Sequence, residues 1–233
     1  TKGMAKRVER IDSPDRIPEV VARAFATAMN GRPGPVVVVL PEDMLTQTVT
    51  LAPLPKVLPV QNALTEQSLQ QIKQLLLQAT QPLIIAGGPL WTQEAALSLE
   101  QFAENWSLPV ANAFRFQDTF DNHHDLYVGD VGIGINPALA KKIAQADLLL
   151  VIGPRLGEMT TSAYSLIKAP LPETILVHIH VSADELNRVY QTPYAFCASM
   201  VQASHQLSQL MPDEKTPLSW QEWTQAGRQD YLH

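Results

Sequence analysis

The chain has 233 residues, of which 45% are hydrophobic and 17% are charged, with a formal net charge of −6. This composition is typical of a globular protein of one or two domains, and the acidic balance argues against a nucleic-acid partner. No apolar run approaches the roughly 20 residues that a membrane span requires, and the first 15 residues lack a secretory core, so we predict a cytoplasmic protein with no membrane partner.

The first 45 residues predict one helix followed by one strand. Apolar side chains recur every three or four positions over residues 17–28, and an Asn-Gly pair ends the pattern. Residues 35–40 form an uninterrupted, largely β-branched run, which is typical of a strand buried on both faces. One helix and one strand cannot close a core, so we expect their partner strands to precede residue 1.

Residues 46–62 predict an extended linker, because they are rich in proline and show no steady period. Residues 63–211 then alternate apolar strands with amphipathic helices. This alternation predicts an α/β fold: a doubly wound, Rossmann-like parallel sheet of five or six strands with flanking helices. The five strands predicted with most support are residues 82–88, 108–113, 147–153, 174–180 and 193–198.

Three other segments of the chain carry weaker signals. Residues 114–136 are loop-like, with the stretches DNHHD and GDVGIGIN. Residues 212–233 have a helical character and are predicted to be a linker toward a further domain. The single cysteine, Cys197, excludes an internal disulfide. Because it lies in the apolar run PYAFCASM, we predict a buried, inert thiol.

Glycine turns after two predicted strands are candidate nucleotide-binding positions. In such sheets ligands bind beyond the carboxyl ends of the strands, near helix N-termini. Gly87 and Gly88 either let the backbone approach a pyrophosphate or form a tight turn. Gly153 begins the second turn, in which Arg155 either pairs with a phosphate or with Glu158 and solvent.

Histidines provide the remaining candidates for a site. His180 and Ser182 follow the predicted strand 174–180, where nucleotide-binding folds often carry an acid for a ribose hydroxyl. His178 shares a strand face with His180, a pattern more typical of core than of catalytic residues. His123 and His124 suggest a metal, but adjacent side chains diverge, and a solvated loop is favoured. No catalytic triad or phosphate-binding P-loop is recognisable.

The stretch GRPGPVVVVLPEDML, residues 31–45, resembles the end of the pyrimidine-binding domain of thiamine-diphosphate enzymes of the acetolactate synthase group. Later segments resemble the central domain of that family in the same order. They are PLIIAGGP, LPVANAF, ADLLLVIGPRL and IHVSADELNRVY. The resemblance therefore covers residues 7–211.

This resemblance implies a fragment of a three-domain enzyme. Residues 1–45 would be the tail of the pyrimidine-binding domain, 46–62 a linker, 63–211 the central domain, and 212–233 a linker to a missing C-terminal domain. The activating glutamate and the GDG motif for diphosphate and Mg²⁺ would lie in the missing domains. The parent would be a homodimeric or homotetrameric 2-oxo-acid decarboxylase or carboligase, and this segment alone would be inactive.

The central domain holds FAD in some members of that family, and ADP or nothing in others. Many flavin-dependent members have an I-D-x-D pattern where this chain has residues 179–182, with His180 and Ser182 in place of the acids. Because the carboxylate acceptors are lost, FAD or ADP is expected to bind weakly, or the domain to be a structural spacer. The alternative is a stand-alone nucleotide-binding module of the electron-transfer-flavoprotein type, against which the GRPGPV motif argues.

Overall fold

The computed structural model of the chain describes residues 3–213 and 218–233. The chain divides into two compact units, Thr1–Val60 and Gln61–His233. Residues 1–2 and 214–217, which belong to the predicted segments 1–45 and 212–233, lie outside the described residues. No helix in the described part of the chain is long and apolar enough to span a membrane.

The first unit contains two strands and two helices. In chain order they are β1 (Arg7–Arg10), α1 (Ile17–Met29), β2 (Val36–Val39) and the single turn α2 (Glu42–Leu45). β1 pairs in parallel with β2, with Arg7 opposite Val36. Our expectation that β2 has no partner within the chain was wrong, because the charged sequence of β1 concealed a strand.

Burial in the first unit is shallow. The predicted strand at residues 35–40 was expected to be buried on both faces, but the valines of β2 are half-buried and Val39 is exposed. A small apolar cluster of Ile11, Val20 and Met44 lies between the elements. Residues 46–60 have no regular secondary structure, in agreement with their extended, proline-rich sequence.

The second unit is built on one six-stranded sheet in which every pair is parallel. Its strands are β3 (Pro82–Ala86), β4 (Val110–Ala113), β5 (Tyr127–Val131), β6 (Leu148–Ile152), β7 (Ile175–His180) and β8 (Tyr194–Cys197). Their order across the sheet is β5-β4-β3-β6-β7-β8. This is the order of a dinucleotide-binding doubly wound fold, so the predicted fold class is confirmed.

Helices cover both faces of the sheet. They are α3 (Glu66–Gln78), α4 (Gln93–Trp106), α5 (Pro137–Gln145), α6 (Met200–Ser208) and α7 (Gln221–Leu232). One core packs α3, α4 and α6 against the sheet around Phe102 and Trp106. The other packs α5 and the β6–β7 connection around Ile143 and Ile167. Thr65 caps α3, accepting a hydrogen bond from the Ser68 backbone.

The segment 114–136, predicted to be a loop, contains the edge strand β5. The register between β4 and β5 shifts at Val110, and Gly129 adopts a φ of +119° there. A glycine is therefore required to absorb an irregularity in this strand. The same glycine interrupts the apolar pattern, which is why the strand was missed.

The C-terminal helix α7 packs against other elements of the second unit. The Trp223 indole donates to the Pro82 carbonyl over 2.9 Å, and the Trp220 indole donates to the Trp106 carbonyl over 2.9 Å. Pro82 is the first residue of β3, and Trp106 is the last residue of α4. The helical character predicted for this tail is confirmed.

The predicted burial of Cys197 is wrong. Cys197 is the last residue of β8, and β8 is the final strand of the sheet. Its thiol is exposed, with Sγ 3.6 Å from the Val181 carbonyl. An apolar run indicates burial only for a strand that has neighbours on both sides, and β8 has one.

Candidate functional site

The candidate site lies at the carboxyl edge of the sheet, where the strand order reverses. β3 and β6 are neighbours, but β3 continues to β4 on one side and β6 continues to β7 on the other. Ligands of open α/β sheets bind at such a switch point. The structure places Gly87 and Gly88 after β3, next to Gly153 and Arg155 after β6.

The two glycine turns touch each other. A Cβ atom at Gly88 would lie 1.9 Å from the Gly153 carbonyl oxygen, and one at Gly153 would lie 2.1 Å from the Gly87 oxygen. Gly88 and Gly153 also have φ values of +81° and +94°. Glycine is therefore required for two backbone segments to cross, which supports the tight-turn alternative over a ligand cradle.

The backbone N–H groups of Gly87 and Gly153 are used within the protein. Gly87 N–H donates to the Ile152 carbonyl over 3.2 Å, and Gly153 N–H donates to the Ile179 carbonyl over 2.8 Å. Both hydrogen bonds extend the sheet by one residue beyond its strands. A phosphate at this edge would have to compete with them.

Arg155 pairs with Glu185, a partner that was not among the alternatives of a phosphate, Glu158 or solvent. Its Nε atom lies 3.8 Å from the Glu185 carboxylate, which also lies 3.3 Å from Nη1 of Arg188. Glu185 is buried, while both arginines are about half-exposed. The guanidinium groups therefore surround an internal carboxylate, which offsets their attraction for an external anion.

His180 and Ser182 form a local turn. His180 is buried, and its Nδ1 accepts a hydrogen bond of 3.0 Å from the Ser182 backbone N–H. The imidazole is thus directed at its own loop. In this conformation Nδ1 is not free to accept a hydrogen bond from a ribose hydroxyl.

His178 is the most strongly perturbed titratable group at this edge. Burial, reinforced by the nearby His180, lowers the pKa of His178 to about 4, although the hydrogen bond to the Pro154 carbonyl opposes the shift. That bond measures 3.0 Å from Nε2. At neutral pH His178 is therefore an uncharged donor that holds the turn after β6, a structural role.

A small cavity of about 100 Å³ lies beside this group. Its lining includes polar and charged side chains from the β6–β7 connection and the segment after β7, namely Arg155, Tyr164, His178, Glu185, Arg188 and Tyr190. The buried Tyr190 hydroxyl has no hydrogen bond of acceptable geometry, although Thr161 is close to it. The volume is sufficient for a few water molecules and much too small for a dinucleotide.

His124 lies near two carboxylates of α4 in an arrangement that disfavours metal binding. Ligand atoms of Glu100, Glu104 and His124 lie within 4.8 Å of one another. However, His124 Nδ1 accepts from the Leu126 N–H over 3.1 Å, so the proton of the neutral ring is on Nε2, facing Glu104. A metal-ligating imidazole donates its second N–H outward instead.

Sequence reasoning missed three contributors to this edge. The first is Glu185, whose i,i+3 spacing to Arg188 was the available signal. The second is the hydrogen bond from His178 to Pro154, for which the sequence holds no signal. The third is Trp91, whose indole N–H donates to the Gly87 carbonyl over 2.6 Å.

The fold and the switch-point geometry define a doubly wound α/β domain of the nucleotide-binding type. The family model described as "Thiamine pyrophosphate enzyme, central domain" matches residues 69–207, more than half of the chain. The chain therefore belongs to this family, and the predicted family and central-domain assignment are confirmed.

Curated relatives agree with this assignment. The chain is 28% identical to the acetolactate synthase large subunit of Corynebacterium glutamicum, over 82% of this chain and 31% of the relative. It is 31% identical to the probable acetolactate synthase large subunit of Methanocaldococcus jannaschii, over 77% and 31%. It is 28% identical to the glyoxylate carboligase of Escherichia coli O157:H7, over 81% and 32%. The chain thus spans about a third of the length of these relatives.

Proposed function

We propose that this chain supplies the central domain of a thiamine-diphosphate-dependent enzyme that decarboxylates a 2-oxo acid and forms a carbon–carbon bond. The observation that carries the proposal is the family match over residues 69–207, together with relatives named acetolactate synthase and glyoxylate carboligase. The parent enzyme would accordingly be a transferase or lyase that requires Mg²⁺.

Within that parent, this segment would act as a scaffold and not as a catalyst. The sequence Gly129-Asp130-Val131-Gly132 is superficially like a diphosphate motif, but its first three residues end the edge strand β5. A Cβ atom at Gly129 would lie 3.2 Å from Leu139 and 3.4 Å from Tyr231, so protein atoms fill the space beside it. These residues do not fit thiamine diphosphate or Mg²⁺, whose sites we assign to the other domains.

The partners of this segment would be the remaining domains of its own parent chain. About two thirds of the length of the relatives lies outside the matched region. We expect domains both before and after residues 1–233, and a full-length protein that forms a homodimer or homotetramer. A cytoplasmic location is part of the same proposal.

Nucleotide binding by this segment is proposed to be weak. The candidate residues Gly87, Gly88, Gly153, Arg155, His180 and Ser182 lie along one edge, which supports a nucleotide-compatible architecture. The carboxylate beside Arg155 and the buried His180 oppose binding of FAD or ADP. Nothing in the comparisons supports the alternative of a stand-alone electron-transfer-flavoprotein module.

The coding sequence on both sides of this segment, followed by assay of the full-length product, tests the proposed function. We expect a glutamate motif upstream and a GDG motif with asparagines downstream. The full-length protein should release CO₂ from pyruvate or glyoxylate only when thiamine diphosphate and Mg²⁺ are present. Intact flanking domains without these motifs, or a full-length protein with no cofactor-dependent decarboxylation, would contradict the proposal.

A further inference from the structure

The turn from β3 to α4 is the position at which a doubly wound sheet usually receives a diphosphate. Binding there requires a glycine turn that leaves room for the ligand and free N–H groups at the helix N-terminus. The relevant residues of this chain run from Gly87 to the first turn of α4, which begins at Gln93. The first requirement fails, and an acidic side chain at the start of α4 opposes anion binding at the second.

Trp91 fills the space beside the glycine turn. Its indole N–H donates to the Gly87 carbonyl over 2.6 Å, and its ring packs against the core beneath α4. A Cβ atom at Gly153 would lie 3.2 Å from Trp91 Nε1 and 2.6 Å from Met200 Sδ. The indole therefore lies across both glycine turns at the switch point, with Met200 closing the second turn.

Glu94 occupies the N-terminus of α4. Glu94 is an exposed acidic residue in the first turn of α4, and hydrogen bonding at this helix end lowers the pKa of its carboxyl. The Thr92 hydroxyl accepts from the Ala95 N–H over 3.2 Å. The helix end that would attract a phosphate thus already holds a carboxylate of the same sign.

We propose that Trp91 and Glu94 together block the diphosphate-binding position at the β3–α4 turn and exclude nucleotides from it. Trp91 fills the volume beside the turn and donates to the Gly87 carbonyl. Thr92 accepts the Ala95 N–H, and the Glu94 carboxylate beside it repels a second anion. This inference rests on the proposed scaffold role of the domain, and it identifies the residues responsible for weak nucleotide binding.

Calorimetric titration of the 233-residue chain with inorganic pyrophosphate and with ADP tests the inference. The variants are Trp91→Leu, which retains apolar contact with the core, Glu94→Gln, and the two combined. Glu66→Gln is the matched control, because Glu66 is likewise an exposed acid in the first turn of a threonine-capped helix, α3. Tryptophan fluorescence verifies that each variant is folded.

The wild-type chain and Glu66→Gln should bind both probes weakly. The combined variant should bind both more tightly by about tenfold or more, because a like charge is removed from the helix N-terminus and volume is opened beside the Gly87 turn. Glu94→Gln changes one surface group, and it should give a smaller gain even if Trp91→Leu does not fold.

Three results would overturn the inference. Unchanged weak binding in Glu94→Gln and in every folded Trp91 variant would show that these residues do not exclude the ligand. A gain for ADP alone would place the new contacts at adenosine and not at the diphosphate. Tight binding by the wild-type chain would overturn the scaffold proposal as well.

Discussion

Replacement of Gly88 by alanine should lower the free energy of unfolding of the second unit by about 3 kcal/mol or more. The new Cβ atom would lie 1.9 Å from the Gly153 oxygen and 2.4 Å from its carbonyl carbon. Both neighbours are backbone atoms, so relief requires the β3 and β6 turns to separate. Urea denaturation followed by tryptophan fluorescence measures this unit, since all four tryptophans lie within it.

Gly134→Ala is the matched control for this experiment. Gly134 has a φ of +75°, close to the +81° of Gly88, but a Cβ atom there would meet nothing within 4 Å. The free energy of unfolding of this control should fall by only about 1–2 kcal/mol, the cost of an alanine in the left-handed conformation. Equal losses of unfolding free energy in the two variants would show that the turns after β3 and β6 separate easily.

Acidification from pH 6.5 to pH 4 should destabilise the second unit through His178. Its pKa is lowered from 6.5 to about 4 by burial, so the unfolded chain binds the proton more tightly. Between these pH values the unfolded state holds more protons, and stability rises with pH. The contribution of His178 is complete above pH 6.5 and falls by about 3 kcal/mol as the pH drops to 4.

The variant His178→Gln isolates this contribution from that of the carboxylates. Glutamine is uncharged throughout the range and retains a donor for the Pro154 carbonyl. The free energy of unfolding of the variant should therefore depend less steeply on pH between 4 and 6.5. His205→Gln, which removes an exposed histidine on α6, should retain the wild-type slope. Parallel pH profiles for all three proteins would disprove a buried neutral His178.

Most of the fold was predictable because each central strand is a continuous apolar run between amphipathic helices. Two strands escaped prediction for physical reasons. β1 is charged and lies in a two-stranded sheet with shallow burial, so no apolar pattern is required of it. β5 lies at the edge of the sheet and is interrupted by Gly129, whose φ of +119° no β-former adopts readily.

The sequence predicted which residues lie at the candidate site but not the contacts that they make there. Glycine turns were predicted after β3 and β6, and both lie at the carboxyl edge where the strand order reverses. No local pattern indicates that the Gly88 and Gly153 turns are in contact, because that contact joins residues 65 positions apart. The pairing of Arg155 with Glu185 is likewise a long-range contact that local spacing does not encode.

We propose that the chain is a non-catalytic middle domain of a thiamine-diphosphate enzyme. The most direct test is CO₂ release by the purified 233-residue chain supplied with thiamine diphosphate, Mg²⁺ and pyruvate. Catalysis requires both ends of the cofactor to be held together beside the substrate. We predict no release above the blank without protein. Cofactor-dependent turnover by this chain alone would contradict the account.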